Sequence, residues 1–453
     1  MVVDELKRAG YEAVANYDSV ENGDRIIDTA IKAYGRVDVL VNNAGILRDI
    51  TLRNMKDNDW DLIHAVHLHG AYKTARAAWP HFRRQKYGRV INTSSASGLF
   101  GNFGQSNYAS AKMALVGFTE TLAKEGIKYN ILANVLAPGA ASRLTATVWP
   151  PDMMEVMKPD WVVPLVGVLC HSSNKETGSV FEASAGHFSK IRYQRSKGVL
   201  LRPDETLTPD VVAAKWAEIR DYSQGTESPH QVSDSMGLLQ KGLTLPKNQP
   251  GTPISLQGRV VLVTGGGDGL GRAYARALAK AGATVAVNDI TDQAEVVARE
   301  IRRGGGDAIA IKITVEKGDE VVQTVVNRYG RIDGLVNNAG ILRDKAFTNM
   351  TDDQWFQVYN VHLRGTYKTI KAAWPFMMKQ KFGRIVNITS TSGIYGNFGQ
   401  ANYAAAVSSL QFFLTCAYEN RNPQSLAFRN HSLAKGRSTT YWSTQSLLVQ
   451  AQT

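Results

Sequence analysis

Three side chains that suit proton transfer lie close together in the first half of the sequence. Ser95 contributes a hydroxyl, Tyr108 a phenol and Lys112 an ammonium. A free tyrosine has a pKa of about 10 and is a poor base near neutral pH. A neighbouring ammonium favours the phenolate and lowers that pKa. We therefore expect Tyr108 to accept a proton from an alcohol while Ser95 holds the substrate oxygen.

These residues require a strand and a helix to position them. Tyr108 and Lys112 are four residues apart, so a helix over residues 105–124 would place them on one face. The apolar run of residues 89–92 predicts a buried strand that ends just before Ser95. A tyrosine and a lysine at this spacing are more often a packing tyrosine beside a solvated lysine. The serine, together with residues 42–45 (NNAG), favours a catalytic site instead.

These motifs resemble the short-chain dehydrogenase/reductase family. Residues 17–20 (YDSV), 42–49 (NNAGILRD) and 101–105 (GNFGQ) are similar, within it, to the dehydrogenase part of the multifunctional enzymes of peroxisomal fatty-acid β-oxidation. The resemblance covers about residues 1–407. It implies an α/β fold of Rossmann-like, doubly wound parallel sheets. Fungal members of this branch carry two such dehydrogenases in tandem before a hydratase.

Length and composition exclude several other classes. The chain has 453 residues, of which 43% are apolar and 20% charged, as in a soluble globular protein of two or three domains. Its two cysteines, Cys170 and Cys416, predict neither a disulfide framework nor a metal site. It contains no apolar run of 18 residues. The net charge is +12, but the lysines and arginines are scattered among acidic residues. The charge therefore does not predict nucleic-acid binding.

The sequence contains two copies of one α/β unit. Asn42 recurs as Asn337 and Tyr108 as Tyr403, each 295 residues later. We expect copy one over residues 1–201, a helix (209–222) and linker over 202–255, copy two over 256–407, and a divergent, disordered tail over 408–453.

Copy one begins late relative to copy two. Residues 2–10 align with residues 297–305, so a counterpart of residues 256–295 is missing from its front. That piece would contain the first strand, the glycine loop, the first helix and the second strand. Further along, residues 142–161 are rich in Met, Trp and Pro. They are expected either to cover an acyl chain or to pack in the core.

Copy two opens with a dinucleotide-binding pattern, in which a strand (259–263), a glycine loop (264–271) and a helix (272–281) follow one another. The loop includes Gly265, Gly269, Leu270 and Gly271. Its glycines let the backbone turn sharply and approach a pyrophosphate, which rests on the helix N-terminus. Asp289 follows at the end of the next strand. Its carboxylate would accept from ribose hydroxyls and repel a 2′-phosphate, which predicts NAD rather than NADP.

Copy two departs from copy one at the proton-transfer site. Ser390 and Tyr403 occupy the serine and tyrosine positions, but the lysine position is Val407, and the likeness ends there. A further departure from the family affects both copies. The position that is commonly a fourth catalytic residue, asparagine, is His67 in copy one and His362 in copy two.

The resemblance also implies roles for other residues, a substrate and a location. It places Asp18, Asn42, Pro138, Gly139 and Asn337 in the cofactor site. It implies NAD-dependent oxidation of a (3R)-3-hydroxyacyl-CoA in the peroxisome, by a homodimer or by paired dehydrogenase copies. The last four residues (QAQT) are not a Ser-Lys-Leu type of peroxisomal address.

Two alternatives stay open. One is a hydroxysteroid or ketoacyl reductase of the same fold, although Asp289 argues against dependence on NADPH. The other is a non-catalytic chain, a truncated paralogue or gene-model fragment that retains NAD binding. Copy one has the full triad without a glycine loop, and copy two has the loop without the lysine. We therefore expect little or no dehydrogenase activity.

Overall fold

A computed structural model describes residues 2–143, 145–147, 149–229 and 231–411 of the protein. Within these residues the chain forms two compact units. Unit 1 contains residues 2–191, 342–359 and 389–411, and unit 2 contains residues 192–341 and 360–388. The compact units do not follow the sequence repeat, because two segments of copy two pack with copy one in unit 1. The boundaries predicted at residues 201, 255 and 407 divide the sequence copies and not the compact units, and they stay a prediction.

Unit 1 is built on a five-stranded sheet in the order β1-β2-β3-β4-β5. Its strands are β1 (Val39–Asn42), β2 (Gly88–Thr93), β3 (Ile131–Gly139), β4 (Val180–Ser184) and β5 (His187–Ile191). The first four are parallel, and β5 is antiparallel to β4. The carboxyl ends of β1, β2 and β3 therefore meet at one edge of the sheet, where α/β proteins usually bind ligands.

Helices cover this sheet. They are α1 (Val2–Arg8), α2 (Gly23–Tyr34), α3 (Asp57–His64), α4 (Gly70–Gln85), α5 (Ala96–Phe100), α6 (Ser106–Gly126), α7 (Pro151–Val156), α8 (Val163–Cys170), α15 (Asp352–Tyr359), α17 (Ser392–Tyr395) and α18 (Ala401–Ser409). The predicted strand over residues 89–92 and helix over residues 105–124 are confirmed as β2 and α6. Helix α6 is buried along most of its length, because it packs on both the sheet and α18.

Unit 2 contains a parallel sheet in the order β10-β9-β8-β11-β12. Its strands are β8 (Val260–Thr264), β9 (Thr284–Asn288), β10 (Ala308–Ile311), β11 (Gly334–Asn337) and β12 (Arg384–Asn387). Alternate valines of β8 and β9 pack in one buried cluster with Ala275 and Val297. This strand order, with helices between parallel strands, confirms the predicted Rossmann-like fold class.

The helices of unit 2 are α9 (Pro209–Ala214), α10 (Trp216–Ile219), α11 (Ser235–Leu243), α12 (Gly269–Lys280), α13 (Gln293–Arg303), α14 (Gly318–Tyr329) and α16 (Gly365–Gln380). The single helix predicted over residues 209–222 is wrong. It divides into α9 and α10 because Lys215 (φ −99°, ψ 7°) leaves the helical conformation. The predicted linker also contains α11 and a two-residue strand pair, β6 (Arg195–Ser196) with β7 (Thr226–Glu227).

Strand β1 has fewer neighbours among the described residues than its counterpart in copy two. Its counterpart β11 pairs with both β8 and β12. In the described part of the chain, β1 pairs with β2 alone. Residues 13–16, the counterpart of β10, form no strand. A strand needs a neighbour for its backbone hydrogen bonds, and the described residues of copy one contain no counterpart of β8 or β9 to supply them.

Two further expectations are only partly covered by the structure. The described residues of segment 142–161, which was expected either to cover an acyl chain or to pack in the core, contain a short 3₁₀ helix, α7 and a second 3₁₀ turn (Pro159–Trp161), with Trp161 46% exposed. Helix α18 continues past Val407 to Ser409. The rest of the predicted tail, residues 412–453, lies outside the described residues. No helix within the described ranges is long and apolar enough to cross a membrane.

Candidate active site

The structure brings Ser95, Tyr108 and Lys112 together in unit 1. Ser95 lies two residues beyond the end of β2 and caps α5, where its hydroxyl accepts from the Ser97 N–H at 3.2 Å. The Ser95 side chain lies near enough to the Tyr108 phenol to act on its pKa. Lys112 Nζ lies 5.6 Å from the centroid of the Tyr108 ring. The geometry is that expected of a proton-transfer triad, and the catalytic role of each residue stays a prediction.

Strand β2 holds the Lys112 ammonium in place. Lys112 is only 3% exposed, and its Nζ donates to the backbone oxygen of Thr93 at 2.6 Å. One residue further on, the Ser94 hydroxyl donates to the backbone oxygen of Lys112 at 2.8 Å. The end of the strand thus binds both the backbone and the side chain of Lys112, and it sets the position of α6 against the sheet.

The predicted lowering of the Tyr108 pKa is wrong for this arrangement. The pKa of Tyr108 is raised above 10.0, first because burial disfavours the phenolate and then because of the Asp49 charge, although the Ser95 hydrogen bond opposes both. Burial also lowers the pKa of Lys112 to about 7. The expected lowering of the Tyr108 pKa by an adjacent ammonium does not occur, because burial removes the water that would stabilise either charge.

His67, the departure from the family pattern, lies against the triad. It is in a five-residue π-helix (Ala65–His69), a feature often found at functional sites. The His67 and Tyr108 rings are 5.1 Å apart and nearly perpendicular. His67 Nε2 lies 2.8 Å from the backbone oxygen of Ile46. Burial and the Lys112 charge hold the pKa of His67 well below 6.5, so its imidazole is neutral.

A chain of hydrogen bonds that the sequence reasoning missed borders the triad. Gln105 donates to Asp49 at 2.7 Å and accepts from Ser97 at 2.8 Å and from Asn102 at 3.0 Å. In copy two, Gln400 makes the same bonds with Asp344, Ser392 and Asn397. The repetition of these residue types at a spacing of 295 is the sequence signal that could have identified this chain of hydrogen bonds.

The other predicted cofactor residues of copy one lie at strand ends or on the surface. The Asn42 amide donates to Asn92 at 2.8 Å and accepts from Thr74 at 2.7 Å, so it joins β1 to β2 and α4. Pro138 and Gly139 end β3. Asp18 forms an ion pair with Arg25 at 3.5 Å. The structure therefore places Asn42, Pro138 and Gly139 at the ligand-binding edge of the sheet, and their contacts with a cofactor stay predictions.

The triad positions of copy two also lie in unit 1. Ser390 accepts from the Ser392 N–H at 3.2 Å, the same capping bond that Ser95 makes in copy one. Val407 is buried, and its backbone oxygen accepts from the Thr389 hydroxyl at 2.8 Å. Tyr403 lies on α18 as Tyr108 lies on α6. The backbone arrangement of the triad is thus preserved in copy two, while the ammonium is replaced by an apolar side chain.

The glycine loop of copy two lies in unit 2, between β8 and α12. Gly265 has a φ of +60°, and a Cβ at Gly271 would lie 2.0 Å from the Gly265 oxygen. The N-terminal N–H groups of α12, which begins at Gly269, have no partner within their own helix. The first of them, the Gly269 N–H, donates to the Asp268 carboxylate at 2.7 Å. A close turn that excludes side chains, followed by a helix N-terminus, fits the pyrophosphate of a dinucleotide.

The Asp289 carboxylate already accepts three hydrogen bonds near the glycine loop. One carboxylate oxygen accepts from the Gly267 N–H at 3.1 Å, and the other accepts from the Thr291 N–H at 3.0 Å and hydroxyl at 2.9 Å. Asp289 therefore holds the glycine loop against β9. A carboxylate has about four acceptor positions, so one remains for a ribose hydroxyl.

Asn338 is a loop-positioning residue that the sequence reasoning missed. Its amide donates to the backbone oxygens of Thr264 and Gly265, both at 3.1 Å. The neighbouring Asn337 instead donates to Asn387 at 3.0 Å, which repeats the Asn42 arrangement. The signal was present in the repeated Asn-Asn-Ala-Gly motif, in which the two asparagines have different tasks.

Comparison with known proteins gives consistent matches. The sequence model of one family, described as short chain dehydrogenase, matches residues 2–151 and 259–427. The peroxisomal hydratase-dehydrogenase-epimerase of Neurospora crassa is 60% identical over 91% of this chain and 46% of its own length. The Saccharomyces cerevisiae enzyme of that name is 52% identical over 92% and 48%. The mouse peroxisomal multifunctional enzyme type 2 is 49% identical over 52% and 32%. The chain spans about half the length of the fungal relatives.

Proposed function

Because the chain belongs to the short chain dehydrogenase family, we propose that it is the NAD-dependent (3R)-3-hydroxyacyl-CoA dehydrogenase portion of a multifunctional enzyme of fatty-acid β-oxidation. The observation that carries this proposal is the arrangement of Ser95, Tyr108 and the buried Lys112 beyond the end of β2. The names of the fungal and mouse relatives support a peroxisomal location, and those of the fungal relatives support a dehydrogenase activity. The acyl-CoA substrate rests on the resemblance of the sequence motifs.

The residues of copy one have distinct tasks in this proposal. The Ser95 hydroxyl holds the substrate oxygen, and the Tyr108 phenol exchanges a proton with it. Lys112 and His67 form the buried wall on which Tyr108 packs. A nicotinamide dinucleotide, when bound, takes up the hydride released from the alcohol carbon. In copy two, the glycine loop, Asp289 and Asn338 are the residues that would hold its pyrophosphate and ribose.

We expect the chain to bind NADH more tightly than NADPH. The free acceptor position of Asp289 suits a ribose hydroxyl, whereas a 2′-phosphate would meet a like charge. Repulsion of about 1.4 kcal/mol would correspond to a tenfold difference in affinity. Fluorescence titration with both nucleotides measures this difference.

Asp289→Asn should reduce that preference. Asp292→Asn is the matched control, because Asp292 is an exposed carboxylate three residues away that pairs with Lys312 at 2.7 Å. Equal affinity of the unmodified chain for the two nucleotides, or a preference for NADPH, would overturn the role of Asp289.

We also propose that turnover by this chain is low. The full triad is found in copy one and the glycine loop in copy two, so neither copy contains both halves of a site. Lys112 has no counterpart in copy two, where Val407 stands. This observation favours a second candidate function, nucleotide binding without catalysis.

Absorbance of NADH during incubation with NAD and a (3R)-3-hydroxyacyl-CoA tests both candidates. We expect little or no NADH. Robust turnover that is lost in Tyr108→Phe and kept in Tyr403→Phe would contradict the expected impairment and show that copy one uses the glycine loop. Turnover of a hydroxysteroid without turnover of the acyl-CoA would favour the alternative substrate class.

A further inference from the structure

A groove of about 700 Å³ lies against helices α12 and α13 in unit 2. It is lined by residues of α12 between 272 and 280, and by residues between 300 and 306 at the end of α13 and in the turn that follows. Neither the glycine loop (264–271) nor Asp289 lines it. Small-molecule sites usually measure about 300–1,000 Å³. The groove therefore has the size of a ligand site that is separate from the dinucleotide site.

Three cations lie along the α12 side of this groove. Arg272, Arg276 and Lys280 follow one another at intervals of four residues, which places them on one face of the helix. Glu300 lines the opposite side and pairs with Arg272 at 2.5 Å. Arg276 and Lys280 are exposed and form no ion pair within the described ranges. The groove thus has two uncompensated positive charges, and arginine and lysine are the side chains that commonly bind phosphate.

The pair between Arg272 and Glu300 leaves one atom of each side chain unused. Nη2 of Arg272 donates to Oε1 of Glu300, whereas Nε of Arg272 and Oε2 of Glu300 are buried without a hydrogen-bond partner among the described residues. Buried polar atoms normally have partners, so these two indicate a group that satisfies both. Nε only donates and an ionised carboxylate only accepts. A hydroxyl both accepts and donates, so one alcohol oxygen can satisfy the two atoms.

We propose that this groove binds a phosphorylated sugar, either free or as part of a nucleotide. Arg276 and Lys280 bind the phosphate, and a ring hydroxyl accepts from Arg272 Nε and donates to Glu300 Oε2. Arg272 and Arg276 are on successive turns of α12, about 6 Å apart at Cβ, so one small sugar phosphate reaches both. The alanine and isoleucine side chains that line the rest of the groove contact the ring carbons.

Isothermal titration calorimetry of the full chain with ribose 5-phosphate, inorganic phosphate and ribose tests the proposal. Ribose 5-phosphate should bind at least tenfold more tightly than inorganic phosphate, because a hydrogen bond to a charged group contributes about that factor. Ribose alone should show no measurable binding, since it lacks the phosphate. No binding of ribose 5-phosphate, or equal affinity for ribose 5-phosphate and inorganic phosphate, would overturn the proposal.

Substitutions then assign the binding to this groove. Arg276→Gln removes one phosphate contact and should weaken ribose 5-phosphate binding about tenfold. Arg299→Gln is the matched control and should leave the affinity unchanged, because Arg299 does not line the groove and pairs with Glu295 at 3.4 Å. Ala277→Leu fills the groove at an exposed position without changing a charge, and should abolish binding. An equal loss in Arg299→Gln, or full binding in Ala277→Leu, would contradict the proposal.

Adenosine monophosphate distinguishes the two sources of the sugar phosphate. The part of its binding that is lost in Ala277→Leu belongs to the groove. If that part is tighter than ribose 5-phosphate binding, the ligand is a nucleotide. If it is equal or weaker, the ligand is a free sugar phosphate. None of these titrations requires NADH binding or oxidation of a substrate, so this proposal and the proposed function fail separately.

Discussion

The free energy of unfolding of unit 1 should fall steeply as the pH drops below about 6.5, because two of its buried histidines are held neutral. His64 contacts the Trp60 backbone oxygen at 2.9 Å through Nδ1 and the Ser110 hydroxyl at 3.1 Å through Nε2. His69 accepts from Trp355 Nε1 at 3.0 Å and packs edge-on against Tyr359. Neither ring has a carboxylate within this set of contacts to stabilise an added proton.

The sign follows from the pKa values. Burial lowers the pKa of His64 to about 4 and that of His69 to about 3, whereas both return to about 6.5 in the unfolded chain. Between these values the unfolded chain binds protons that the folded chain does not. Stability therefore rises with pH through this window and is lost as the pH falls. At pH 5 the two groups together remove about 4 kcal/mol, a large share of the 5–15 kcal/mol typical of a domain.

Urea unfolding between pH 5 and pH 7, followed by tryptophan fluorescence, measures this dependence. His69→Gln should flatten it by about a third, because glutamine can accept from Trp355 but does not titrate, while the buried His64 and His67 still do. The control is His187→Gln, since His187 is exposed on β5. If His69→Gln and His187→Gln unfold with the same pH dependence, the histidine explanation is wrong.

NADH binding should be lost in Gly271→Ala. The added Cβ would lie 2.0 Å from the Gly265 oxygen and 2.6 Å from the Asn338 amide nitrogen. The first contact is with backbone, so it cannot be relieved by turning a side chain. Forcing the loop apart costs about 3 kcal/mol, or about a hundredfold in affinity if the strain falls on the binding conformation. Fluorescence titration with NADH measures the loss.

Gly269→Ala is the matched control for this prediction. Gly269 lies in the same loop, but no heavy atom lies within 4 Å of its added Cβ. Its φ of +53° leaves only backbone strain, about 1–2 kcal/mol for an L-residue. NADH binding should therefore weaken far less than in Gly271→Ala. Equal losses of NADH affinity in the two variants would mean that backbone strain, and not the contact between the added Cβ and the Gly265 oxygen, explains the need for Gly271.

Local spacing in the sequence predicted the elements that carry the site. The four-residue interval between Tyr108 and Lys112 identified α6, and the apolar run before Ser95 identified β2. The glycine loop was located between its strand and its helix. Each of these predictions depends on neighbours within one turn or one strand, and such interactions can be read from adjacent residues.

The burial of the site side chains could not be predicted from local spacing. The sequence shows that Lys112 is near Tyr108, but not that both are enclosed, and enclosure reverses the expected effect on the Tyr108 pKa. The single helix predicted over residues 209–222 was wrong as well. Nothing in its composition marks the break at Lys215.

By itself, the sequence determined the family, the tandem repeat and the division of the site residues between two copies, because these depend on residue type and spacing alone. Only the tertiary structure decided that segments of copy two pack with copy one, that β1 pairs with a single strand among the described residues, and that Asp289 holds its own loop. The physical reason is that these features arise from contacts between residues far apart in the chain. Hydrogen bonding, exclusion of water and close packing at such contacts are set by the folded arrangement and not by adjacent residues.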